Sequence, residues 1–178
     1  MLGARYVEYI HDEFITELWA DAGTISTKGC RDFNLLESAV SRPFQTVFCS
    51  DAYPTTLEKG AALFHSLVAN HPFHDGNKRT AVTAFYAFLL ANGHYLTLSN
   101  DEAYAIAKAT ASYRERGLSH EQALAEILEK FRDWVIPFST LQVGARTEPK
   151  HFGRTYETIK SLRLSIRKSS LNRLIDPS

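Results

Sequence analysis

TTLEKGAALFHSLVANHPFHDGNKRTAVTAFYAFLLANG, residues 55–93, is the stretch that decides how this chain folds. Thr55 followed three residues later by Glu58 is a capping box. Behind it Ala61, Phe64, Leu67 and Val68 recur at helical spacing and run out near Asn70. A second helix begins at Asn77 or just after it, with Val82, Phe85, Tyr86, Leu89 and Leu90 on one stripe and Gly93 as its stop. Between these two apolar helices lies HPFHDGNKRT, residues 71–80, a loop dense in proton-handling and anion-reading groups.

Outward from this pair the pattern stays helical. Val7, Ile10, Phe14 and Leu18 predict a helix over about Arg5 to Asp21, closed by Gly23. A shorter helix is expected over Asp32 to Ser41, with Leu35, Leu36, Ala39 and Val40 inward and Pro43 ending it. The segment FQTVFCSDAYP, residues 44–54, alternates β-branched and aromatic residues and reads as a small hairpin or flap. Two further capping boxes, Ser99 with Glu102 and Ser119 with Gln122, each open an amphipathic helix, the last ending near Val135. At least six helices with hardly any strand signal make the core all-α.

The chain has 178 residues and a formal net charge of zero, which gives no bulk electrostatic reason to expect direct nucleic-acid binding. The zero hides an asymmetry. Residues 1–138 carry 12 Lys/Arg against 17 Asp/Glu, and residues 139–178 carry 8 against 3. We therefore divide the chain into a domain at 1–138 and a basic C-terminal extension at 139–178, partly helical around Tyr156, Ile159, Leu162 and Ile166. The basic residues of the extension read as a solvated face, with a docking arm as the alternative. Cys30 and Cys49 are too few and too unpatterned for a disulfide framework or a zinc site. With no apolar leader and no 18-residue apolar run, neither signal peptide nor membrane span is expected, and a cytoplasmic setting is the default.

The loop has a coherent chemistry. A helix N-terminus presents unpaired N–H groups and a positive dipole end, so it attracts anions. Gly76 lets backbone approach a ligand, Asn77 offers an amide, Lys78 a point charge, and Arg79 a bidentate guanidinium. Asp75 is a hard oxygen ligand suited to Mg²⁺. His71 is a competent base near neutral pH. Base, metal ligand and phosphate nest together suit the movement of part of a nucleotide onto a hydroxyl, a reaction that depends on positioning and electrostatics.

These residues also resemble a known signature. HPFHDGNKRTA is similar to the motif of the Fic/Doc superfamily, H-x-F-x-[DE]-G-N-G-R in its Fic branch and ending N-K-R-T-A in its Doc, or death-on-curing, branch. Upstream, GCRDFNLLESAVSRPFQTVF resembles the segment that leads into the flap of Doc proteins. The likeness covers about residues 4–136 and leaves the extension unexplained.

The resemblance implies a helical bundle with a flap before the motif helices, and ATP with Mg²⁺ as cofactors. His71 would be the general base and Asp75 the metal ligand. Gly76, Asn77, Lys78 and Arg79 would hold the nucleotide. Lys78 stands where AMP-transferring Fic enzymes have glycine, which points to transfer of the γ-phosphate, as in Doc toxins that act on a threonine of elongation factor Tu and arrest translation. AMP transfer is the alternative. The inhibitory [ST]-x-x-x-E-[GN] motif of many Fic proteins is absent from the sequence, so inhibition is expected in trans, from an antitoxin.

Two other readings compete. His11-Asp12 and His74-Asp75 are both HD pairs, the hallmark of a helical metal phosphohydrolase, but that leaves Asn77, Lys78 and Arg79 without a task. A non-catalytic nucleotide-binding or nucleic-acid-binding module is the other.

Overall fold

The computed structural model describes residues 2–15, 19, 23, 25–137 and 139. The extension beyond Ser139 and the far end of the first predicted helix, including Leu18, lie outside the described residues.

Two antiparallel-connected helices, α3 (Thr56–Asn70) and α4 (Asn77–Ala91), form the centre. The capping box predicted for α3 is present on both sides: the Thr55 hydroxyl accepts from the Glu58 N–H, and Glu58 accepts from the Thr55 N–H. Helix α4 is buried from Arg79 to Leu89 on every face, so it is a core helix and not the one-striped helix its sequence suggested. At Gly60 the Phe85 ring of α4 packs directly against the α3 backbone. A Cβ there would lie 2.7 Å from the Phe85 ring, a contact that only glycine avoids.

The remaining helices wrap this pair. Helix α1 (Ala4–Tyr9) runs into a π-helical turn at Ile10–Phe14, and α2 (Phe33–Ser41) is capped by Asp32, which accepts from the N–H groups of Asn34 and Leu35. Helices α5 (Asn100–Ala111) and α6 (His120–Arg132) each carry the predicted capping box. Phe131 of α6 completes an aromatic cluster with Phe64 and Phe85, ring centroids 4.6–5.3 Å from it. The all-α expectation holds, with six α-helices among the described residues.

Three details differ from the sequence reading. The first helix is not uniform: its π turn adds a residue and brings both Ile10 and His11 into the core, each 0% exposed. Pro43 does not end α2 outright, because Arg42–Phe44 continues it as a 3₁₀ turn. The last helix stops at Arg132, and Val135–Pro137 (β4) instead pairs antiparallel with His94–Leu96 (β3), which cross-links the ends of α4 and α6. The flap is a hairpin, as its alternation predicted, with Thr46–Val47 (β1) paired to Ser50–Asp51 (β2). Its two turn residues, Phe48 and Cys49, both have positive φ. Phe48 is 98% exposed.

Candidate active site

Helix α3 ends at His71 for a local reason. Pro72 disfavours the α conformation in the residue before it, and His71 takes up left-handed backbone at φ 51°, ψ 55°. The chain then turns through the loop and re-enters a helix after Gly76, which is also left-handed at φ 70°. The loop is tied down on one side by residues 30–32. The carbonyl of Pro72 accepts from the N–H groups of Arg31 (2.8 Å) and Asp32 (3.1 Å), and the Arg31 guanidinium donates to the His71 carbonyl at 2.7 Å.

Inside the turn, Asn77 acts as a clamp. It is 3% exposed. Its Oδ1 accepts from the Phe73 N–H at 2.9 Å, and its Nδ2 donates to the Phe73 carbonyl at 2.8 Å. The same Nδ2 lies 3.1 Å from Nδ1 of His71. The predicted role for Asn77 was to reach a phosphate; here its amide is committed to the loop and to the base. Because the Phe73 backbone fixes which end of the amide is nitrogen, Asn77 is the donor and Nδ1 the acceptor. The neutral imidazole therefore carries its proton on Nε2.

Around this clamp the other predicted residues converge. His71, Asp75, Gly76, Asn77, Lys78 and Arg79 all line one cleft of about 340 Å³. Burial, reinforced by the nearby charges of Lys78 and Arg31, pushes the His71 pKa below its ordinary value, with Asp75 opposing the shift. His71 is thus neutral at physiological pH. Asp75 keeps its Oδ1 on the Gly76 N–H at 2.6 Å and its Oδ2 3.6 Å from the Arg79 guanidinium. Arg79 is almost buried and donates to the Gly23 carbonyl at 2.8 Å. Lys78 is half-buried and has no ion-pair partner among the described residues. The arrangement sets a neutral imidazole, a carboxylate and two cations around an open volume, which suits an anionic substrate with a hydroxyl to be deprotonated.

Three cleft residues were not found from the sequence: Trp19, Asp101 and Tyr104. Trp19 and Tyr104 pack with ring centroids 5.6 Å apart, and Trp19 donates to the Thr83 hydroxyl at 3.4 Å. Asp101 sits in the first turn of α5. No local pattern marks them, since each arrives from a distant element. The two HD pairs also fare differently from the phosphohydrolase reading. His74 lines the cleft, whereas His11 is buried against Asp12 and the motif loop, and no group of three His, Cys, Asp or Glu side chains among the described residues is placed to hold a metal.

The site is thus a helix pair joined by this loop, with a flap before it and a histidine facing a cationic helix start. The family model described as Fic/DOC family matches residues 2–89, and this part of the chain belongs to that family. It is similar to the protein named Toxin Doc of Mycolicibacterium smegmatis, 48% identical over 83 residues, which are 45% of this chain and 64% of that protein. The chain thus spans less than two thirds of the length of that relative. No solved structure matches the chain significantly. No helix among the described residues is long and apolar enough to cross a membrane.

Proposed function

We propose that the protein is a toxin that transfers the γ-phosphate of ATP to a hydroxyl of a target protein. The observation that carries this reading is Lys78, a cation without an ion-pair partner among the described residues, lining the same cleft as His71 and close enough to lower its pKa. A positive charge so near the base marks where a phosphoryl group would meet the attacking oxygen. A glycine at this position would leave room for the α-phosphate instead, so the lysine favours phosphate transfer over AMP transfer.

In this reading the hydroxyl oxygen bonds to the γ-phosphorus as the bond to the bridging β,γ-oxygen breaks, and ADP leaves. The hydroxyl proton goes to His71 Nε2. To accept it, the ring exchanges its resting tautomer for one with the proton on Nδ1, at the cost of the 3.1 Å bond from Asn77. Lys78 and Arg79 hold phosphate oxygens against the start of α4. Asp75, an exposed-edge carboxylate of the hard oxygen type, would hold Mg²⁺, which when bound neutralises charge on the phosphates. The hairpin at Thr46–Asp51 holds the target segment by strand-like pairing. Elongation factor Tu is the target that the likeness to Doc proteins suggests, and an antitoxin acting in trans is the expected inhibitor.

The test is to incubate the protein and its His71→Ala variant with elongation factor Tu and ATP labelled at the α or the γ position. Transfer from the γ position alone, abolished by the substitution, is expected. Transfer from the α position alone would replace this reading with AMP transfer.

A further inference from the structure

We propose that His11, aligned by Asp12, is a positioning residue that holds the Asp75–Gly76 peptide in its cleft-lining conformation. The inference rests on the phosphotransfer reading for its purpose, but its geometry stands apart from it. His11 comes from the π turn of the first helix and is 0% exposed. Its Nδ1 lies 2.7 Å from Asp12 Oδ1, and its Nε2 lies 3.1 Å from the backbone carbonyl of Asp75. The ring stacks on Phe73, centroids 4.1 Å apart and planes 5° from parallel.

Two of these contacts touch different parts of the motif loop. Phe73 is the residue clamped by Asn77, and Asp75 supplies the carboxylate of the cleft. Asp12 in turn accepts from the Gly29 N–H at 2.8 Å. Gly29 leads into Cys30, whose backbone bridges to Phe73 and whose thiol donates to the Pro72 carbonyl. One imidazole thus joins the first helix, the 29–31 segment and the loop.

The Asp75 carbonyl can only accept, so the ring holds it by donating from Nε2, while Nδ1 faces Asp12. A carbonyl held in this way cannot rotate with its peptide plane. The Asp75 carbonyl faces the core, and the attached carboxylate and the Gly76 N–H keep their places at the cleft. Gly76 packs closely here, since a Cβ on it would lie 2.9 Å from Ile25 Cδ1 and 3.5 Å from His11 Nε2. His11 touches neither substrate nor metal in this account; it acts through the Asp75 peptide. Groups that orient a metal-binding residue in this way are commonly worth about 10–100-fold in metal affinity.

The experiment uses the full chain with three substitutions. His11→Phe keeps the stacking and removes both polar contacts, His11→Gln keeps one donor, and Asp12→Asn weakens the group that aligns the ring and receives the Gly29 N–H. Amide exchange at residues 74–77 is measured without ligand, beside exchange in the core of α3, and Mn²⁺ affinity is measured by electron paramagnetic resonance with ATP present. Expected is exchange about tenfold faster at 74–77 in His11→Phe with α3 unchanged, and Mn²⁺–ATP binding about 10–100-fold weaker. His11→Gln and Asp12→Asn should fall between. Unchanged exchange at 74–77, or exchange that rises equally in α3 with Mn²⁺–ATP affinity retained, would overturn the proposal and leave His11 a packing residue. Faster exchange confined to 74–77 in a protein whose wild type binds no Mn²⁺–ATP would support the positioning and sink the phosphotransfer reading instead.

Discussion

The side-chain amide of Asn77 donates to Nδ1 of His71 across 3.1 Å while both of its ends are held by the backbone of Phe73. One residue thereby closes the motif turn and selects the resting tautomer of the base. In the free protein, ¹⁵N resonances of His71 should show a protonated Nε2 and a bare Nδ1. The opposite pattern would mean that the amide does not govern the ring.

Removing that amide should also cost stability. Asn77→Ala leaves the Phe73 N–H and carbonyl without their partners in a site closed to water. Orphaning buried polar groups of this kind destabilises by about 2–3 kcal/mol. Urea denaturation followed by circular dichroism measures it, and a change under about 0.5 kcal/mol would show that the loop finds other partners.

The acid limb of the pH–rate profile should report His71. Its pKa lies below the usual histidine value because of burial first, then Lys78 and Arg31. A base is active above its pKa, so activity should persist below pH 6.5 and fall only as the pH drops through the lowered value. Removing a neighbouring positive charge raises that value. Lys78→Ala or Arg31→Ala should therefore move the limb of kcat/KM to higher pH, and a limb that stays in place would exclude His71 as the titrating group.

A second histidine, His65, should contribute to acid sensitivity. His65 is 1% exposed and lies edge-on to His120 at 4.1 Å, and burial first, with His120, Arg42 and Arg114 adding, pushes its pKa down to about 3. The unfolded chain, with an ordinary value near 6.5, binds the proton more readily. Stability is thus complete above pH 6.5 and declines as the pH falls from there toward 3. Each unit of displacement corresponds to about 1.4 kcal/mol, so roughly 3 kcal/mol should be lost by pH 4. His65→Phe should flatten that slope in denaturant titrations between pH 4 and 7, and an unaltered slope would place the acid sensitivity elsewhere.

Gly76 offers a backbone test. With φ at 70° and Ile25 against it, Gly76→Ala adds left-handed strain and a 2.9 Å contact. Ile25 meets the new methyl with the far end of its side chain and can shift, so the strain dominates and about 1–2 kcal/mol of stability should be lost. Thermal unfolding measures this, and a stabilised variant would show that the loop relaxes freely.

Much of this protein could be read before any coordinates. The boundaries of α3, α5 and α6 rest on capping boxes, which are satisfied within four residues of chain and so leave a local signature. The dense loop from His71 to Arg79 was legible for the same reason, because its functional groups are neighbours along the chain. The flap was legible as alternation, and it folds as the hairpin Thr46–Asp51.

What the tertiary structure alone decided depends on contacts between distant segments. His11 looked like half of a metal-binding pair; the π turn and the stacking on Phe73 made it a strut beneath Asp75. Asn77 looked free to meet a phosphate, until the Phe73 backbone turned its amide toward His71. Trp19, Asp101 and Tyr104 became cleft residues only when their elements packed beside α4. The sequence by itself determined which chemical groups the loop contains, because helix capping and apolar spacing are local. Which way those groups point, and what stands opposite them, was set by burial and hydrogen bonding between segments some 60 residues apart, for which the local pattern carries no record.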